Sequence, residues 1–69
     1  MDVFETKSVA KFSTPFAKQV EIMEVKIRNG VVLLRIRIKE GNRFTILDLD
    51  PVSAKLWGEA MSAWSEKMT

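Results

Sequence analysis

The residues whose types and spacing suit chemistry are four cations and one phenylalanine: Lys11, Lys26, Arg37, Lys39 and Phe44. Lysine and arginine hold phosphates, and an exposed ring stacks on a nucleobase, each stacked base being worth about 1–3 kcal/mol. Arg37 and Lys39 are two positions apart, so a strand shows both on one side, with Phe44 on the strand beside it. Between Lys18 and Arg43 lie seven basic residues (Lys18, Lys26, Arg28, Arg35, Arg37, Lys39, Arg43) against Glu21, Glu24 and Glu40, although the whole chain carries only +2. Basic residues gathered on one element suit a polyanionic partner. Ile22, Leu33 and Ile46 fall among the cations, and the same surface would also serve a protein contact rimmed by charge. Two functions therefore stand side by side: sequence-tolerant binding of single-stranded DNA or RNA, and a small homodimeric interaction or adaptor module with no nucleic-acid role. The second predicts that Ile46→Asp abolishes a partner contact while Arg37→Ala barely matters.

Other chemistries lack their residues. The 69 residues include no histidine, cysteine or tyrosine. General acid–base work near neutral pH usually needs histidine, and thiolate chemistry and disulfides need cysteine. A zinc site would have to be built from carboxylates alone, which is unusual. Ser8, Ser13, Ser53 and Ser65 have no evident base, and the three glycines are isolated rather than gathered in a phosphate-binding loop. The expectation is a protein that is not an enzyme and takes no cofactor and no metal.

The elements that must position these residues are legible from turns and alternation. Asn29-Gly30 separates two β-branched runs and suits a two-residue hairpin turn. That turn pairs Arg28 with Val31, Ile27 with Val32, Val25 with Leu34, Met23 with Ile36, and Glu24 with Arg35. Glu40-Gly41-Asn42 marks the next bend. A two-residue loop at Gly41-Asn42 sets Leu47 and Leu49 beside Leu34 and Ile36, whereas a three-residue loop places Asp48 among the leucines, at a cost of about 2 kcal/mol or more. The shorter loop sets Asp48 opposite Arg35. One sheet face is then Met23, Val25, Ile27, Val32, Leu34, Ile36, Ile38, Leu47 and Leu49. The other is mixed: Ile22, Lys26, Leu33, Arg35, Arg37, Lys39, Phe44 and Ile46.

Asp50-Pro51 is a helix start, an N-cap carboxylate followed by a proline at the first helical position. Ala54, Trp57, Met61, Trp64 and Met68 then form one stripe, with Lys55, Glu59 and Glu66 opposite. Val52, Leu56 and Ala63 widen the apolar arc to about 200°. Covering a sheet takes roughly half of that arc. The surplus, in a chain too short to bury much core and without disulfides, points to a homodimer seamed by Leu56, Trp57, Ala60, Met61 and Trp64, the alternative being that the N-terminal segment covers it. Trp57 and Trp64 read as structural rather than base-stacking.

The fold class expected is α+β: an antiparallel β-meander with an additional N-terminal strand, followed by one C-terminal amphipathic helix, ββββα, in a single domain over 1–69. Strands are expected at about 8–14, 20–28, 31–39 and 43–49 and the helix at 51–67, with 1–7 loosely ordered. No apolar run approaches the ~18 residues that a membrane span needs, and no apolar signal stretch opens the chain, so the expected location is cytoplasmic.

With the order of elements in place, a likeness appears. An N-terminal strand region is followed by Met23-Glu-Val-Lys-Ile-Arg-Asn-Gly-Val-Val-Leu-Leu-Arg-Ile-Arg-Ile-Lys39, then Arg43-Phe-Thr-Ile-Leu-Asp-Leu-Asp-Pro51, then a tryptophan-bearing helix. Over roughly residues 10–66 this resembles the transcriptional positive coactivator family, the Whirly-like single-strand DNA binders. The resemblance implies a four-stranded antiparallel sheet with one helix, a dimer formed through the helices, and single-stranded DNA held along the sheet by basic and aromatic side chains. By position in the strands, Lys11, Lys26, Arg37, Lys39 and Phe44 correspond to the ligand contacts.

Overall fold

Alternation in Val32-Leu-Leu-Arg-Ile-Arg-Ile-Lys39 sorts large apolar side chains from cations on a single strand, and the remaining strands build out from it. In the computed structural model, which describes residues 3–16 and 18–69, the order is β1 (Val3–Ser13), β2 (Lys18–Ile27), β3 (Val32–Glu40), β4 (Arg43–Leu49) and α1 (Pro51–Met68). The four strands form one antiparallel sheet in the order β1-β2-β3-β4. The architecture is ββββα.

The β3–β4 hairpin has the expected two-residue connection, with Glu40 opposite Arg43 and Gly41 at φ 61°. Asp48 lies opposite Arg35 and accepts two hydrogen bonds from its guanidinium, Nε to Oδ1 at 2.9 Å and Nη2 to Oδ2 at 3.1 Å. That bond holds the Asp48 carboxyl below its ordinary range.

The β2–β3 hairpin differs from expectation by one residue. Its loop is Arg28-Asn29-Gly30: Gly30 N–H donates to the Ile27 carbonyl at 2.9 Å, Ile27 N–H donates to the Val31 carbonyl at 3.0 Å, and Gly30 takes φ 90°. Asn29 Oδ1 accepts the Val31 amide at 3.0 Å, tying the turn to the start of β3. This is a tight turn followed by a positive-φ glycine, the usual three-residue hairpin. Lys26 therefore faces Val32, Val25 faces Leu33, Glu24 faces Leu34, Met23 faces Arg35 and Ile22 faces Ile36. A slip of one residue exchanges the two faces of a strand. Met23, Val25 and Ile27 move to the face of Arg35 and Arg37, and Ile22, Glu24 and Lys26 join the face of Leu34 and Ile36. Arg35 consequently has Met23 and Asp48 as its cross-strand neighbours, and Glu24 does not reach it.

The N-terminal strand is longer than expected. Met1 and Asp2 lie outside the described residues, but β1 runs from Val3 through the segment expected to be loose. Its ladder with β2 shifts between Val3 and Glu5 and again between Ser8 and Ala10, two irregularities that sequence alternation does not reveal. Thr14 closes the following turn, its amide donating to the Lys18 carbonyl at 2.9 Å.

Asp50 caps α1 as expected. Its carboxylate accepts the Ser53 amide at 3.3 Å and the Ser53 hydroxyl, and these bonds lower its pKa. The apolar stripe of α1 does not cover the sheet. The helix meets β3 and β4 only briefly, and Ser53 and Ala54 are its half-buried residues while the others are exposed. No helix among the described residues is long and apolar enough to cross a membrane.

Candidate nucleic-acid interface

The face opposite Leu34 and Ile36 is built by every second residue of β2, β3 and β4 and, across the shift at Val9, by residues of β1. β3 contributes Arg35, Arg37 and Lys39; β4 contributes Phe44, Ile46 and Asp48; β2 contributes Gln19, Glu21 and Met23; β1 contributes Ser8, Lys11 and Ser13. Within it lies a groove of about 430 Å³, lined chiefly by Lys11, Gln19, Glu21, Arg37, Lys39 and Phe44. Four of the residues picked out from sequence thus meet in one place. Lys26 does not, because the β2–β3 loop turns it to the other side of the sheet.

Phe44 is half exposed, at 49% of its surface. The guanidinium carbon of Arg37 lies 4.5 Å from its ring centroid and the Lys39 ammonium 5.9 Å, both within cation–π range. Both cations thus lie over the ring. Lys39 sits directly across from Phe44 in the ladder, and Arg37 is one alternation further along β3.

Glu21 was not expected here. Paired with Lys11 on β1 and Arg37 on β3, it stands at the centre of the groove. Its carboxylate accepts the Ser8 hydroxyl at 3.0 Å and lies 3.8 Å from Lys11 Nζ and 3.8 Å from Arg37 Nη1. Glu21 is the least exposed of the three, at 20% of its side chain against 75% for Lys11 and 44% for Arg37. The signal that could have found it is a charge pair: one register offers Glu24 opposite Arg35, the other offers Glu21 opposite Arg37, and only the second agrees with a three-residue loop.

Chemically, the groove offers three cations, one carboxylate, one ring and the polar ends of Ser13 and Gln19. Arg35 is held by Asp48 and contributes no free charge. Among the described residues no cluster of acidic side chains could hold a metal ion. The residues of the expected helix seam, Leu56, Trp57, Ala60, Met61 and Trp64, are all exposed along α1.

Neither the curated proteins nor the solved structures contain a match to this chain. One family model matches, over residues 4–67, and it describes a family of unknown function.

Proposed function

The chain belongs to the DUF6967 family, and we propose from its geometry that it binds single-stranded nucleic acid, with little sequence preference, on the face of Lys11, Arg37, Lys39 and Phe44. The observation that carries the reading is the half-exposed Phe44 ring, with Arg37 at 4.5 Å and Lys39 at 5.9 Å from its centroid, opening onto a cation-lined groove. A base stacks on the ring, and the phosphates on either side of it meet Lys39 and Lys11. Stacking accepts any base, because each has a π-face. An unpaired strand is the form of nucleic acid that offers a free base to the ring. The resemblance in element order to the transcriptional positive coactivator family supports the same reading and a role in transcription.

Titration of a labelled single-stranded oligonucleotide, followed by fluorescence anisotropy at several salt concentrations, tests the proposal. The affinity is expected to fall with salt at about 0.7 log units per log unit for each of the cations engaged. Phe44→Ala is expected to weaken binding by about 1–3 kcal/mol. Absence of binding at low salt, or an affinity indifferent to salt, would sink it. The adaptor reading rests on Ile46, exposed in the row of Glu21 and Arg37, and gains ground only if the oligonucleotide fails.

A further inference from the structure

The chain has too little interior for its mass. Among the described residues Val25 and Leu49 are the buried apolar side chains, at 0% and 8% exposure. A folded monomer of 7.9 kDa exposes about 4,400 Å² by the usual scaling with mass. This chain exposes 5700 Å². Its radius of gyration is 13.6 Å, where about 11 Å is usual for this length. The surplus of about 1,300 Å² exceeds the ~800 Å² that each partner contributes to a standard interface.

The surplus can be located. The stripe of α1 starts against the sheet at half-buried Ser53 and Ala54 and then runs on into solvent. Trp57 is 46% exposed, and Val52, Leu56, Met61, Trp64 and Met68 are between 61% and 68% exposed. Lys55 and Glu59, on the opposite arc, pair with each other at 3.9 Å and need no partner chain. The sheet face away from the groove is open too: Phe12 is exposed, and Val20, Ile22, Ile36, Ile38 and Leu47 are only half-buried.

We infer that a second copy of this chain completes the fold, with the overhanging stretch of α1 around Trp57, Met61 and Trp64 at the seam, and that folding is coupled to this association. A two-fold contact needs a surface that complements itself. One chain here carries both parts, an apolar helix extending past its own sheet and an incompletely covered apolar sheet face. Two copies hiding ~1,300 Å² each fall in the size class of obligate dimers, which often have no stable folded monomer. The groove lies on the opposite face of the sheet from Ile36, Ile38 and Leu47. This inference does not depend on what the groove binds.

Sedimentation equilibrium of the full chain is expected to give twice its 7.9 kDa. The thermal midpoint, followed by circular dichroism, is expected to rise when the protein is concentrated a hundredfold. Trp64→Lys is expected to abolish association, and Glu59→Lys, on the wet arc, to leave it intact. A folded monomer whose midpoint ignores concentration overturns the inference without any variant. A dimer that survives Trp64→Lys overturns the seam, and an open-ended series of larger species overturns the closed two-fold arrangement.

Discussion

Replacing Glu21 with glutamine removes the carboxylate that stands between Lys11 and Arg37 in the groove. At 3.8 Å from each cation, an opposite charge is worth about 1 kcal/mol per pair in water-like surroundings. Exposed ion pairs measure about 0.2–1 kcal/mol, so the two together hold the cations back by about 1–2 kcal/mol at most. A phosphate entering the groove must displace or share that attraction. On the proposed function, Glu21→Gln is expected to tighten oligonucleotide binding by about tenfold, the affinity equivalent of ~1.4 kcal/mol. The salt dependence should steepen as well, by up to about 1.4 log units per log unit if both cations become fully available. The fold should tolerate the change, because a glutamine amide oxygen can still accept the Ser8 hydroxyl. Anisotropy titrations of wild type and variant across a salt series read both quantities. An affinity that stays level or falls, with an unchanged slope, refutes the view that Glu21 competes with the ligand for these cations.

Three further outcomes follow from the register and the turns. Lys26→Ala should leave oligonucleotide affinity within about twofold, since its side chain lies across the sheet from Arg37; a loss like that of Phe44→Ala, about 1–3 kcal/mol, measured in the same titration, would contradict the placement. Gly30→Ala should destabilise the chain by about 1 kcal/mol or more in denaturant unfolding, although a methyl group there meets no atom within 4 Å, because Gly30 holds φ +90°. Asp48 and Asp50 both have folded pKa values below the ordinary 3.8, owing to Arg35 and Ser53 respectively. Their contribution to stability is full above that value and disappears as pH falls through the lower folded value. The thermal midpoint should therefore drop below about pH 4, and less steeply in Asp48→Asn.

How much of this could be read from the chain depended on the strand. On β3 and β4 the alternation had one reading, because a longer loop would set Asp48 among leucines, and the structure has the short loop. β2 offered no such test. Val20 and Ile22 have one parity while Met23, Val25 and Ile27 have the other, so both registers bury apolar side chains and both supply a charge pair. The local turn decided the matter: a three-residue loop formed around Gly30, with the Asn29 side chain bonded to Val31. Every residue of β2 changed sides as a result, taking Lys26 out of the groove and bringing Glu21 in. On β1 the shifts flanking Val9 and near Phe4 break the alternation that would have revealed the strand's length. The helix start was plain from Asp50 and Pro51, but the distance the helix would overhang the sheet was not written in any local pattern.

The two irregularities in β1 also bear on how these chains behave when crowded. β1 is an outer strand, with eleven residues whose far side has no neighbouring strand in this sheet. A flat border of that length invites another molecule to zip alongside and to begin a fibril. Two bulges bend and twist the border, and Lys7 and Lys11 repel a like strand approaching it. At the other border β4 is only seven residues long and ends at Asp50-Pro51, where the proline has no amide hydrogen to offer a newcomer. Deleting Val9, which removes one of the two shifts, should favour growth of a discrete particle by pairing β1 edge to β1 edge.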